Sequence, residues 1–156
     1  MKTKIISLGG TTDKAYAAMC GEYYKRMDGV TECDMKPEPL PNDPSAAQIK
    51  GALEKEADRI LAEIPRQSYV IALCVEGKQM TSEALSAALE RAAAGGKSSV
   101  TCIIGSSYGL SDRVKGAADL RLSLSSLTLP HKLARLVLAE ALYRAGEIAK
   151  GTRYHK

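Results

Sequence analysis

The sequence predicts an α/β fold in which a mostly parallel sheet is flanked by helices. Three patterns carry this reading. Strand-like apolar segments alternate with helical ones along the chain. The central strands, residues 68–75 and 98–104, are apolar almost without interruption, as strands buried on both faces must be. Each also runs out into glycine, at Gly77 and Gly105, in the strand-end position where ligands collect on such sheets.

The elements follow in order. Residues 4–8 form a short apolar strand closed by Gly9-Gly10, and residues 13–27 a helix with Ala17, Cys20, Tyr24 and Met27 at helical spacing. A weaker strand is expected near residues 33–35. Pro37, Pro39, Pro41 and Pro44 then exclude regular structure, and the stretch reads as a mobile loop. Residues 45–64 are helical, with Ile49, Leu53, Ala57, Ile60 and Leu61 on one side and Lys50, Glu54, Lys55 and Arg59 towards water; Pro65 stops them. After the strand at 68–75 and its Glu76-Gly77-Lys78 end, Thr81 opens a helix through about residue 94, terminated by Gly95-Gly96. The strand at 98–104 ends in Gly105-Ser106-Ser107-Tyr108-Gly109-Leu110. A short helix from Ser111, a strand near 120–124 and a loop, Ser125-Ser126-Leu127-Thr128-Leu129, come next. Pro130 suits the first turn of a final helix reaching about residue 150. There Leu133, Leu136, Val137, Leu138, Ala141, Leu142, Tyr143, Ala145 and Ile148 occupy more than one stripe, so the surplus beyond the sheet-facing side implies a second packing partner, most simply another subunit.

A chain of 156 residues is single-domain length. Its 45% hydrophobic and 26% charged residues support a core and exclude wholesale disorder. Phe and Trp are absent beside seven Tyr, so the core is aliphatic and a surface built on rows of Phe or Trp stacking platforms is excluded. Net charge is +4, and all of the excess lies from His131 onward, where six Lys and Arg face two Glu. That permits a polyanionic partner. Cys20, Cys33, Cys74 and Cys102 form no C-x-x-C pair and have no flanking histidine, so no metal site is expected. Cys74 and Cys102, inside apolar runs, read as buried reduced thiols of a reducing compartment. No signal peptide or 18-residue apolar run is present, and a soluble, cytoplasmic protein without a membrane partner is expected.

Phosphate-loop patterns fail: no G-x-G-x-x-G follows the first strand, and neither Gly77-Lys78 nor Gly96-Lys97 completes a Walker loop. The Gly105-Ser-Ser-Tyr-Gly109 loop is a candidate ligand site, because glycine lets backbone approach a ligand closely. His131, one of two histidines, opens a helix directly after a candidate ligand loop, where the helix dipole favours neutral imidazole. His155 lies in a tail, Thr152-Arg153-Tyr154-His155-Lys156, rich in hydrogen-bonding and cationic groups. A small-ligand enzyme with Cys74 or Cys102 as nucleophile is disfavoured, since neither has a histidine or helix start beside it.

Val75-Glu76-Gly77-Lys78, Ile104-Gly105-Ser106-Ser107-Tyr108-Gly109-Leu110, Leu122-Ser123-Leu124-Ser125-Ser126-Leu127-Thr128-Leu129-Pro130-His131, Leu142-Tyr143-Arg144-Ala145 and the terminal Tyr154-His155-Lys156 together resemble the RlmH family. These SPOUT-class methyltransferases modify N3 of a pseudouridine in large-subunit (23S) ribosomal RNA. The resemblance spans the whole chain. It implies a trefoil knot in the C-terminal half, a homodimer, and ribosomal RNA, met in the assembled ribosome, as substrate. It further implies S-adenosyl-L-methionine held by Leu73, Gly105, Leu124, Ser125, Ser126, Leu127, Thr128 and Leu129. His131, Tyr154 and His155 become the candidate catalytic groups, and Arg135, Tyr143, Arg144 and Arg153 the RNA-facing ones. Two positions depart from the family pattern: Ser106 stands where relatives usually have a second glycine, and Cys74 where an acidic residue is common. A non-catalytic RNA-binding or ribosome-assembly factor on the same fold is the alternative.

Overall fold

The computed structural model describes residues 1–10 and 12–156. Among the described residues ten elements alternate: β1 (Lys2–Leu8), α1 (Lys14–Tyr24), β2 (Val30–Met35), α2 (Ala46–Glu63), β3 (Ser68–Lys78), α3 (Ser82–Ala94), β4 (Ser99–Ile104), α4 (Asp112–Ala117), β5 (Leu120–Leu122) and α5 (His131–Lys150). The strands form one sheet in the order β2-β1-β4-β3-β5, and every pairing is parallel.

Adjacent residues of a strand point to opposite faces, which explains the uninterrupted apolarity. Ile5, Ile71, Cys102 and Ile104 pack on one face with Leu85 of α3 and Leu138, Leu142 and Ala145 of α5. Ile6, Val70, Ala72 and Ile103 pack on the other with Ala57 and Ile60 of α2 and Val114 of α4. Local chemistry sets the helix starts: the side chains of Ser45, Thr81 and Ser111 each accept a backbone N–H of the helix they precede.

Four expectations are adjusted. The first helix ends at Tyr24, because Arg26 and Met27 bond three residues back, to Tyr23 and Tyr24, in a tightened turn. β3 runs on to Lys78, held beside β5 by the Lys78–Leu122 pairing. The proline-rich stretch is irregular but tethered: the backbone N–H of Glu38 donates to Glu56 Oε2 at 2.9 Å, and its carboxylate lies 3.3 Å from Arg59. Cys102 is buried, whereas Cys74 is only partly so.

Arg135 also departs from its expected place on an RNA-facing surface. It is 1% exposed and reaches from α5 to the edge strand β2, bonding Glu32 at 3.0 Å and Asp34. A guanidinium so enclosed cannot meet a phosphate without unpairing both carboxylates. Its task is to tie α5 to the sheet edge. Arg135→Ala leaves two neighbouring acids beside a void, and a stability loss of roughly 2–4 kcal/mol is expected in urea unfolding, somewhat discounted because the acids are part-exposed. A wild-type midpoint would remove this role.

Candidate active site

The ends of β1, β3 and β4 and the loop after β5 enclose a cleft of about 750 Å³, inside the roughly 300–1,000 Å³ typical of small-ligand sites. Residues 73–76 form one wall, 105–110 a second, and 122–125 with 127–131 a third; Leu8, Gly9 and Gly10 close it from β1. Of the residues assigned to a cofactor, Leu73, Gly105, Leu124, Ser125, Leu127, Thr128 and Leu129 line this space. Ser126 instead accepts a hydrogen bond from Gln79 Nε2 at 2.6 Å.

The walls are braced from within. Leu127 N donates to Ser125 Oγ at 3.0 Å, and Ser123 Oγ donates to the Ser125 carbonyl at 3.0 Å. Gly109 N donates to the Ser106 carbonyl at 2.9 Å, closing a tight turn with Gly109 at φ +84°. A Cβ on Gly105 would stand 2.5 Å from the Gly109 oxygen, so only glycine fits there. Ser106 turns its hydroxyl to Glu56 Oε1 at 3.2 Å, which links this wall to the buried Glu56 of α2 and through it to Glu38. Sequence reading did not single out Glu56, whose bond to Ser106 spans 50 positions.

His131, the first residue of α5, lines the cleft. Its Nε2 lies 2.6 Å from Ser7 Oγ, and that hydroxyl donates to the Gly9 carbonyl at 3.1 Å. The imidazole and the Ser7 hydroxyl thus share a hydrogen bond, and the ring also meets the backbone of Gly9 and Gly105. Burial, followed by the charge of Arg135, holds its pKa below the ordinary histidine value, and the ring is neutral at pH 7. Burial pushes the Cys74 thiol up and Cys102 to about 12, which removes both as thiolate nucleophiles.

The other expected site residues gather elsewhere. Gly151, at φ +69°, ends α5, and Thr152 N bonds back to the Glu147 carbonyl, turning the tail along the helix. Glu140 Oε1 accepts from Arg144 Nε at 2.9 Å, Arg144 Nη2 at 2.6 Å and the Tyr154 hydroxyl at 3.2 Å. Arg144 stacks 4.8 Å over the Tyr154 ring, which meets Tyr143 edge-on at 4.7 Å. His155 contacts Arg144 Nη1 through Nδ1 at 3.3 Å and Glu83 through Nε2 at 2.7 Å. Arginine only donates and an ionised carboxylate only accepts, so neutral His155 carries its proton on Nε2 and its lone pair on Nδ1. Burial and Glu140 push the Tyr154 phenol up to about 12. None of Tyr143, Arg144, Arg153, Tyr154 or His155 lines the cleft. At 1.5 Å per residue, Glu140 and Arg144 lie about 14 and 20 Å along α5 from His131. Glu140 was findable from its i,i+4 spacing to Arg144; Glu83 and Ser7 left no local signal.

Two outcomes test this description. Gly105→Ala must push Gly109 aside, and a loss of about 1–3 kcal/mol in urea unfolding is expected; an unchanged midpoint refutes the crowding. For His131, the unfolded chain takes up a proton below about pH 6.5 while the folded one resists it, so stability is complete above that value and falls as the medium acidifies. The urea midpoint of the wild type should therefore drop more between about pH 7.5 and 5.5 than that of His131→Gln, and parallel curves would contradict the assignment.

A family model described as predicted SPOUT methyltransferase matches residues 1–155. A ribosomal RNA large subunit methyltransferase H of Streptococcus thermophilus is 43% identical over the full length of both chains, as is its namesake from Listeria monocytogenes. A solved structure of a probable methylase family protein from Haemophilus influenzae superposes with a TM-score of 0.55 at 13% identity, covering 99% of this chain and 70% of that one, a likeness of fold. Matching in sequence from end to end, with the strand-end cleft in place, the chain belongs to the SPOUT methyltransferase family.

Proposed function

We propose that this protein methylates N3 of a pseudouridine in 23S ribosomal RNA, with S-adenosyl-L-methionine as donor, as a cytoplasmic homodimer acting on the assembled ribosome. The 43%-identical relatives are ribosomal RNA large subunit methyltransferases, which supports the RNA substrate. The observation that carries the reading is the separation of two groups of residues along α5: a braced, largely apolar cleft at its start and a polar tail cluster at its end. The cleft fits an amphipathic nucleoside-like donor, since apolar Leu73, Leu124 and Leu129 stand beside Ser125, Thr128 and loop backbone. S-adenosyl-L-methionine supplies an electrophilic methyl group on a sulfonium. Leu73, Gly105, Leu124, Ser125, Leu127, Thr128 and Leu129 would hold it.

The tail supplies the remaining chemistry. The imide proton of the target base must leave before or during attack, and the anion then needs donors. Tyr154, protonated with a pKa of about 12, and Arg144, permanently cationic, are such donors. His155, whose Nδ1 lone pair faces Arg144 Nη1 at 3.3 Å, takes up the imide proton once that contact opens onto the base. Arg153 and Tyr143 lie in the same cluster or beside it and face RNA, whereas Arg135 belongs to the fold. Since the tail lies off its own chain's cleft, a second copy completes each site. The half-exposed Leu133, Leu136 and Val137 of α5 provide an apolar face for it. The C-terminal trefoil knot belongs to the same reading.

Deleting residues 153–156 should lower methyl transfer to ribosomes from a strain lacking this gene at least about 100-fold, while calorimetry shows donor binding nearly unchanged. Equal loss of both would defeat the division of labour, and a wild-type chain that binds ribosomal RNA without binding the donor would be an assembly factor instead. RNA association, but not donor binding, should weaken steeply with salt.

A further inference from the structure

We infer that Tyr108 is a stacking platform for an unpaired nucleobase of the RNA, at the mouth of the cleft; this rests on the methyltransferase reading above. Seven tyrosines are the only aromatic residues of the chain, and Tyr108 is the one among them that lines the cleft. It is 47% exposed, whereas the other six are half-buried. Two further exposed apolar side chains, Val75 (61%) and Leu127 (76%), come from the other two walls and line the same cleft, so apolar surface on all three loops meets solvent there.

The turn that carries the ring is braced. Tyr108 sits in the turn closed by the Gly109 N–H to Ser106 carbonyl bond. That turn is pressed against Gly105 and pinned to Glu56 by the Ser106 hydroxyl. A ring presented on a braced turn has little conformational freedom to lose on binding. The target base must leave its helical stack to present N3, and a π face beside the cleft repays part of that cost in a way that tolerates any base. A donor buried in the cleft needs no outward-facing ring.

The test compares Tyr108→Ala, Tyr108→Phe and Tyr108→Leu in methyl transfer to ribosomes lacking the modification, with donor affinity by calorimetry and melting temperature as companions. Tyr108→Ala should raise the KM for ribosomes roughly ten-fold or more, as expected for loss of one stacked base, with donor affinity within about two-fold of wild type. Phe should restore the wild-type KM and Leu should not, because a π face rather than bulk is required. An unchanged KM in Tyr108→Ala, full rescue by Leu, or a matching loss of donor affinity each overturns the assignment, the last by placing the ring on the donor. A wild-type protein that binds the donor but methylates no ribosome refutes the underlying reading instead.

Discussion

The ion pairs of Arg135 with Glu32 and Asp34 fix the setting of α5 on the sheet, and the rest of the molecule's arrangement follows from that setting. A charge at 1% exposure is tolerated only with partners in place, so α5 has one register against β2. Four residues before Arg135 stands His131, at the floor of the cleft. Three residues after it Leu138 enters the core, followed by Leu142 and Ala145. Further along come Glu140 and Arg144, which organise the tail. One helix thus carries three tasks at fixed spacing, and its rigidity keeps cleft and tail cluster apart within a chain.

The two regions differ in physical character as well as place. The cleft is shaped by backbone: glycine at 105, a closed turn at 106–109, and short side chains bonding to their own loop. Its titratable members are quiet at neutral pH, with His131 held neutral and Cys74 held as a thiol. The tail cluster is shaped by charge, with one carboxylate oxygen of Glu140 receiving three donors and His155 held between Arg144 and Glu83. A cleft shaped by backbone and a cluster shaped by charge are different kinds of surface, set apart by the length of α5.

Several features were legible because they depend on neighbours in sequence. The helix start at Thr81 is legible in capping chemistry, and two walls of the cleft in glycine-ended apolar strands. The resemblance marks the tail through its terminal Tyr154-His155-Lys156 motif. The resemblance places Arg135 among the RNA-facing residues, yet the residue is buried against carboxylate partners 101 and 103 positions away, which no local pattern marks. The apolar run around Cys74 likewise suggested full burial, but the end of β3 borders the cleft.

By itself the sequence determined the alternation of strands and helices, the parallel sheet, the loops at the strand ends and the family. All of these are written in periodicity, turn residues and short motifs, which act over a few positions. Only the tertiary structure decided which residues share a task. Ser7 meets His131 across 124 positions and His155 meets Glu83 across 72, contacts set by strand order and by the way α5 crosses the sheet. The basic excess beyond residue 130 is divided by the same cause: the crossing buries Arg135 against β2 and leaves Arg144 at the tail, because a charge's surroundings depend on what the fold brings to it.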